Sequence, residues 1–166
     1  MKLKTVKRLM VTFIVNKILS TTKHFEIKRK LLNSIGYQVG EGSKVVGPIY
    51  NTGTLIIGKN CWVGKNLTIN GNGTVIIGDN CDIAPEVTFL TGGHKIGDAS
   101  RRAGEGEIYT INVGNGCWIG ARSTIGRSIT IGNACVVASC ACVMKDVPAN
   151  RLVAGVPAKE IRVLDD

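Results

Sequence analysis

The sequence is poor in aromatic residues, in histidine and in long apolar runs, and each shortage excludes a class of protein. Only 5% of its 166 residues are aromatic and two are histidines, whereas 21 are glycines. This composition is unusual for a helical protein and indicates a turn-rich β architecture. The longest uncharged stretch near the N-terminus, Leu9 to Asn16, has eight residues, whereas a membrane-spanning helix needs about 20. We therefore expect one domain with a short appendage and no transmembrane helix.

Acidic residues are almost missing from the first 36 positions. This segment holds nine Lys or Arg against one acid, Glu26, whereas residues 37–166 hold twelve against eleven. The basic character therefore belongs to a leader, residues 1–36, and not to the domain that we expect over residues 37–166. Because that domain has no basic stripe interleaved with aromatic residues, we expect no nucleic-acid partner.

The leader shows helical spacing of its apolar residues. Steps of three and four, with lysines between them, predict one amphipathic helix containing Leu3, Val6, Leu9, Met10, Phe13, Ile14 and Ile18. A second helix is predicted from Lys23 to Ile35. Lys17 interrupts the apolar run and no small-residue cleavage site follows, which disfavours an export signal. Two interpretations stay open: a lid on one end of the domain, or a basic amphipathic element on an anionic membrane surface. We expect a cytoplasmic protein, held at the inner face of the membrane in the second case.

The rest of the chain repeats with a period of six. Numbered from Val39, the first position of fifteen hexads is Ile, Val or Phe in fourteen cases, and Asn51 is the exception. The second position is Gly or Ala in ten of the fifteen. Such a period indicates short strands joined by tight corners, with three hexads closing one triangular coil.

Five coils account for this register, and they span 39–56, 57–76, 77–112, 113–130 and 131–148. The second coil carries two extra residues in the turn 70–73, and the third carries eighteen. We therefore predict a stack of coils with a loop insertion at about 90–110 and a C-terminal cap over 149–166.

The cysteines follow the repeat rather than a metal-binding pattern. Four of them share the fifth hexad position, where a small inward residue is expected: Cys61, Cys81, Cys117 and Cys135. We interpret these as reduced core residues. No Cys-x-x-Cys pair exists, so we expect no metal.

The hexad pattern resembles that of the hexapeptide-repeat acyltransferases over about residues 37–164. The resemblance implies an all-β fold, a left-handed parallel β-helix of about five coils, here with an N-terminal α-helical segment and a protruding loop. Some γ-class carbonic anhydrases share this architecture. Their site needs three histidine ligands, and His24 and His94 are the only histidines of this chain.

His94 lies at the mouth of the long insertion. The segment Thr91-Gly-Gly-His94 and its spacing of 24 residues to Trp118 resemble the catalytic-histidine segment of the sugar O-acetyltransferases of the galactoside, maltose and capsule-modifying type. The tail, Val143–Pro148 and Leu152–Arg162, resembles theirs too. The resemblance implies acetyl-CoA-dependent O-acetylation with His94 as general base, because a neutral imidazole can take the proton of an attacking hydroxyl. Asp98 and Glu105 are candidates for orienting the imidazole.

Candidates for the acetyl-CoA site come from the register and from the resemblance. Ala121 and Ser139 are small and eighteen residues apart, so they are expected to stack on adjacent coils and leave a lane for the pantetheine arm. Four more residues match family contacts, two along the arm and two near the phosphates: Met144, Lys145, Lys159 and Arg162.

Two tryptophans occupy outward positions on one predicted face. Trp62 and Trp118 each follow a cysteine, and exposed tryptophans on a flat face call for a covering partner. The resemblance implies a homotrimer with the acetyl-CoA groove between subunits, and both tryptophans are expected at that seam.

The acceptor is not defined by these motifs. Gly64 and Asn72 stand where galactoside-type enzymes tend to carry an asparagine and an acid, and the leader does not resemble their N-terminal acceptor-binding region. We therefore expect a saccharide acceptor that is a polysaccharide precursor or a lipid-linked sugar. The alternatives are another acceptor, such as serine, an amino sugar or a xenobiotic hydroxyl, and a non-catalytic scaffold.

Overall fold

The computed structural model describes residues 2–165 and consists of two N-terminal helices followed by a parallel β-helix. Helix α1 (Lys2–Phe13) continues into a π-helical segment, Ile14–Ile18, and helix α2 spans Phe25–Asn33. The second helix is shorter at both ends than predicted. Within residues 2–165 no helix is long and apolar enough to cross a membrane.

Three parallel sheets form the faces of the β-helix, with strands numbered in chain order. The first sheet contains β1 (Gln38–Val39), β4 (Thr54–Ile57), β7 (Thr74–Ile77), β12 (Thr110–Val113) and β15 (Thr130–Ile131). The second contains β2 (Lys44–Val45), β5 (Trp62–Val63), β8 (Asp82–Ile83), β13 (Trp118–Ile119), β16 (Val136–Val137), β18 (Arg151–Gly155) and the antiparallel β19 (Ala158–Val163). The third contains β3 (Ile49–Asn51), β6 (Leu67–Asn70), β9 (Thr88–Leu90), β14 (Thr124–Ile125) and β17 (Cys142–Val143). A separate antiparallel hairpin, β10 (Gly92–Ile96) and β11 (Ala103–Ile108), is formed by the insertion.

The register of the strands confirms the predicted coils. Ile119 pairs with Val137 in the second sheet, and Ile125 pairs with Val143 in the third, each one coil of eighteen residues apart. After five complete coils the chain begins a sixth, because Val147 forms a bridge to Ile131 and β18 pairs with β16. The predicted β-helix is therefore correct, and the partial sixth turn is a small addition to it.

The residue type at the first and fourth hexad positions follows from their places in the coil. The fourteen aliphatic or aromatic first positions are buried, whereas Asn51 is half-buried and accepts a hydrogen bond from the Gly53 N–H at 2.8 Å. In ten of the fifteen hexads the fourth position turns the corner with a positive φ, which only glycine adopts freely. It does so even at Arg122 (φ 59°), Ala134 (φ 54°) and Cys140 (φ 61°).

The fifth position ties neighbouring coils together. The thiols of Cys61, Cys81, Cys117 and Cys135 each lie 3.0 Å from a backbone oxygen of the next coil, in order those of Gly78, Gly114, Gly132 and Pro148. The neighbouring thiol and burial raise the pKa of Cys61, and the same causes raise the pKa of Cys81 to about 11. The four side chains are buried, as predicted, and they also act as hydrogen-bond donors.

The two helices cover the N-terminal end of the β-helix. Val11, Val15 and Leu32 are buried in one hydrophobic cluster with the aliphatic residues of the first coil. The Asn16 amide donates to the Ile49 carbonyl at 2.8 Å and accepts from the Ile49 N–H at 3.0 Å. This packing is that of a lid.

A buried lysine fastens α2 to the first coil. Lys28 is fully buried, and its ammonium donates to the carbonyl oxygens of Thr21 at 2.6 Å and Val46 at 3.1 Å. The same nitrogen lies 4.6 Å from the centre of the Phe25 ring. Burial lowers the pKa of Lys28.

Candidate active site

The hairpin that carries His94 is anchored at its base by Thr91. This side chain is fully buried, and its hydroxyl bridges the preceding coil, donating to the Asn70 carbonyl and accepting from the Gly73 N–H, both at 3.2 Å. The Thr91 carbonyl accepts the N–H of Tyr109 at 2.8 Å. Both ends of the insertion are thus held at one point, and His94 lies three residues beyond it.

The His94 ring is oriented by the opposite strand of its own hairpin. Its Nδ1 lies 2.8 Å from the carbonyl oxygen of Gly104. Because a carbonyl can only accept, Nδ1 carries the proton and Nε2 presents a lone pair. The expectation that Asp98 or Glu105 orients the ring is wrong. Asp98 instead accepts hydrogen bonds within its own turn, and Glu105 pairs with Lys95 at 2.7 Å.

Three side chains that the sequence did not single out surround the His94 backbone. Arg127 Nη1 donates to the His94 carbonyl at 3.4 Å and to the Tyr109 hydroxyl at 3.3 Å. The Tyr109 hydroxyl in turn donates to the Glu107 carboxylate at 2.5 Å, which raises the pKa of Tyr109. A side chain at Gly93 would come within 2.9 Å of the Arg127 guanidinium and 3.0 Å of the Tyr109 ring, so Arg127 would have to shift to accommodate it. Tyr109 and Arg127 stand eighteen residues apart, which is one coil, and the repeat contained that signal.

A polar cleft of about 530 Å³ opens beside His94. Its walls include the side chains of Asn70, Asn72 and Glu107 together with the glycine backbone of the hairpin. The cleft is suited to hydroxyl groups, since amide and carboxylate groups provide both donors and acceptors.

A second cleft, of about 350 Å³, lies between the last coil and the C-terminal hairpin β18–β19. Met144, Lys145 and Lys159 line it, and so does Arg151, which the sequence did not single out. Arg162 lies on β19 opposite Leu152 and does not line this cleft.

Most of the predicted site residues lie at two corners of the prism, whereas Trp118, Lys159 and Arg162 lie on strands of the second sheet. Corner A, where the chain passes from the third to the first sheet, includes residues 126–129 and 144–146 and the base of the His94 hairpin. There a side chain at Gly126 would meet the Met144 sulfur at 2.9 Å, and the adjacent Arg127 contacts His94. Corner B, where the chain passes from the second to the third sheet, includes residues 120–123 and 138–141.

Ala121 and Ser139 stack at corner B as the register predicts. The Ala121 carbonyl accepts the N–H of Cys140 at 2.8 Å. Gly120 lies so close to the next coil that a side chain there would meet the Ser139 nitrogen at 2.5 Å. Within one chain His94 and Met144 therefore both lie near the segment Gly126–Arg127 of corner A, and Ala121 and Ser139 lie at the other corner.

The two tryptophans have different surroundings, which corrects one expectation. Trp62 is half-buried and packs edge-on against Phe25 of α2, with 5.7 Å between ring centres. The leader therefore covers Trp62, and no second subunit is required for it. Trp118 lies two coils away in the same sheet and is 57% exposed.

Comparisons with known proteins agree with this architecture. The family model described as the hexapeptide repeat of succinyl-transferase matches residues 54–84 and 110–139. The galactoside O-acetyltransferase of Escherichia coli (strain K12) is 38% identical over 143 residues, which cover 85% of this chain and 70% of that protein.

Solved structures extend the similarity to the helices. A galactoside acetyltransferase in complex with coenzyme A superposes with a TM-score of 0.81 at 34% identity, covering 98% of this chain and 83% of that one. A hexapeptide-repeat acetyltransferase from Vibrio cholerae, complexed with acetyl coenzyme A, superposes with a TM-score of 0.82 at 26% identity, covering 99% and 89%.

The fold and the site together define a β-helical acyltransferase. The chain belongs to the hexapeptide-repeat acetyltransferase family, and it is an acetyl-CoA-dependent acyltransferase.

Proposed function

We propose that the domain formed by residues 37–166 transfers the acetyl group of acetyl-CoA to a hydroxyl of a saccharide, with His94 as the general base. The observation that carries this proposal is the 2.8 Å contact between His94 Nδ1 and the Gly104 carbonyl at the mouth of a polar cleft. That contact directs the proton-accepting Nε2 away from the hairpin backbone.

The chemistry follows from this tautomer. Nε2 takes the hydroxyl proton as the acceptor oxygen attacks the thioester carbonyl, and a C–O bond forms. When the tetrahedral intermediate collapses, the C–S bond breaks and the imidazolium returns the proton to sulfur. The products are an acetyl ester and the free thiol of coenzyme A.

The acetyl-CoA path is assigned to residues at both corners. The small side chains of Ala121 and Ser139 leave backbone accessible to an extended pantetheine arm, and Met144 and Lys145 continue that path. Lys159 and Arg162 supply positive charge for the phosphates. Trp118, exposed on the second sheet, is an apolar neighbour for the cofactor or for a second subunit.

A homotrimer would bring these two groups of residues together. Corners A and B are separated by one face of the prism, a single hexad, or up to about 20 Å of extended chain. We therefore propose that the two groups contact one pantetheine arm from two neighbouring subunits. A neighbouring subunit that sets its corner B against corner A completes the site and covers Trp118.

A saccharide acceptor is supported by the cleft and by the relatives. Asn70, Asn72 and Glu107 line the space beside His94, and amide and carboxylate groups bind sugar hydroxyls. The similar Escherichia coli protein is a galactoside O-acetyltransferase. We propose a polysaccharide precursor or a lipid-linked sugar as the acceptor.

An acceptor screen with acetyl-CoA and a free-thiol readout tests the proposal. We expect thiol release with saccharide acceptors and acetyl esters in the product, and none of this with the His94→Asn variant. Thiol release with serine or an amino sugar, but with no other saccharide, would assign the alternative acceptor class. Absence of acetyl-CoA binding by calorimetry would favour a scaffold.

A further inference from the structure

We propose that the outward face of α1 binds the surface of an anionic lipid bilayer. This face, called the outer face below, consists of Leu3, Val6, Leu9, Met10 and Phe13. The inference goes beyond acetyl transfer and is independent of which hydroxyl accepts the acetyl group.

The N-terminal helical segment has one buried apolar side and one exposed apolar side. Val11 and Val15 are 6% and 0% exposed in the lid, whereas Leu9 and Phe13 are 67% and 60% exposed. Val11 stands two residues from Leu9 and from Phe13, which is about 200° around the helix in either direction. The rest of the outer face is also open to solvent, with Leu3 84% exposed and Met10 59% exposed.

The packing of the lid on the domain does not explain why the outer face is apolar. A helix that covers a core normally has polar residues on the side away from it. Here five large apolar side chains form one contiguous exposed row, and Leu9 and Phe13 at one end of it line a cleft beside Tyr50 of the first coil. Such a row marks an interaction surface rather than ordinary scatter of apolar residues.

The charge around the outer face favours an anionic surface. Lys7 on α1 and Lys17 in the π-helical segment are exposed, whereas Arg8 turns toward the domain and donates to the Asn51 carbonyl at 3.5 Å. The first acid of the chain is Glu26, and it pairs with Arg29 at 2.8 Å. An apolar row with basic residues about it is the composition of helices that lie in the interface of anionic bilayers.

The same charge disfavours a second copy of the chain as the occupant. Two leaders facing each other would each bring a formal charge of +8, nine bases against one acid. The remainder of the chain carries twelve bases and eleven acids, so it offers little net negative charge to attract a leader. An anionic lipid surface satisfies both the apolar row and the charge.

The lid prepares the helix for this contact. Interfacial peptides usually fold when they bind, and ordering the backbone reduces their affinity. The buried contacts of Val11 and Val15 and the paired Asn16 amide already hold the segment 2–18 in place. At a rise of 1.5 Å per residue, the outer face from Leu3 to Phe13 is a row about 15 Å long, parallel to the helix axis.

Vesicle sedimentation of the full-length protein tests the proposal. One set of vesicles is pure phosphatidylcholine, and the other is an equal mixture of phosphatidylcholine and phosphatidylglycerol. We expect binding to the mixed vesicles to exceed binding to the neutral ones and to weaken as salt is raised. The paired change Leu9→Gln with Phe13→Gln should reduce binding at least tenfold. The paired change Lys7→Gln with Lys17→Gln should reduce it about fivefold per charge.

Ile96→Gln is the matched control, since Ile96 is 86% exposed on the hairpin, away from the leader. It should bind vesicles as the parent does. Because the altered side chains are exposed, circular dichroism and the unfolding midpoint should not change. Equal sedimentation of the parent and both paired variants with mixed vesicles would overturn the proposal. A change in the mass of the Leu9/Phe13 variant by light scattering, with no vesicle binding by the parent, would instead make the outer face a contact between copies.

Discussion

His94 is the residue on which the proposed chemistry depends. Its ring is exposed on a hairpin outside the repeat core, so His94→Asn should leave folding and acetyl-CoA affinity unchanged. We expect kcat to fall by roughly 10²–10⁴, the usual contribution of a general base. Steady-state kinetics and calorimetry measure the two quantities. A variant that retains most of its turnover would place the base elsewhere.

Arg127 positions the His94 backbone without reaching the reacting atoms. Arg127→Met removes the donor to the His94 carbonyl and to the Tyr109 hydroxyl. Loss of hydrogen bonds of this kind should lower kcat about threefold to tenfold. The KM for acetyl-CoA should stay constant, and Arg127→Lys should restore part of the rate. A lowered unfolding midpoint with unchanged kcat would show that Arg127 serves stability alone.

Lys28 is a single buried charge that stabilises the folded protein. Lys28→Met leaves the Thr21 and Val46 carbonyl oxygens without this donor, and it should lower the free energy of unfolding by about 1–3 kcal/mol. Lys30→Met, on the exposed side of the same helix, should change it by less than about 0.5 kcal/mol. Urea titrations compare the variants.

The pH dependence of the Lys28 contribution has a definite sign. Burial holds its folded-state pKa below the ordinary 10.5. At pH values between the folded-state and the unfolded-state pKa of Lys28, the unfolded chain binds more protons than the folded one. The contribution of Lys28 to stability therefore rises with pH in that range. The advantage of the parent over Lys28→Met should therefore grow toward pH 10.5. If the difference in the free energy of unfolding between the parent and Lys28→Met stayed constant or shrank as pH rises, a lowered pKa of Lys28 would be contradicted.

At the scale of the element, the hexad is a set of contacts between coils. The second position lies against the next coil, and a side chain at Gly58 would stand 2.6 Å from the backbone carbon and oxygen of Gly78. Because backbone cannot yield as a side chain does, Gly58→Ala should destabilise the fold by about 1–3 kcal/mol.

Gly106 provides the comparison for this substitution. A side chain at Gly106 would have no atom within 4 Å, so Gly106→Ala should leave the unfolding midpoint nearly unchanged. Thermal unfolding of both variants decides the point. Similar midpoints for the two would mean that neighbouring coils separate without cost.

At the scale of the whole molecule, the division of site residues between two corners predicts the assembly. Light scattering at low micromolar concentration should give three times the chain mass of 17.7 kDa. Trp118→Arg should shift the protein toward monomer and lower activity, because it places a charge at the proposed seam. A parent protein that stays at the mass of one chain would contradict the trimer.

The predicted elements differ in how well the sequence defined them. The repeat located the strands because each inward side chain recurs at a fixed interval, and Asn51, the one irregular position, is also the one that is not fully buried. The position of the first helix was also predictable, but from an apolar row, Leu3 to Ile18, whose members are mostly exposed, whereas Val11 and Val15 face the core. Which side of α1 faces the core could not be predicted, because both of its sides are apolar.

The sequence by itself therefore determined the β-helix, its coils and the place of His94 at the insertion. These features depend on the spacing of apolar and small residues along the chain, which the sequence shows directly. Only the tertiary structure decided that the Gly104 carbonyl, rather than Asp98 or Glu105, holds the imidazole, and that Phe25 covers Trp62. These contacts join segments through a hairpin and a helix whose paths have no repeat. Their geometry is set by packing in three dimensions, and no spacing in the chain encodes it.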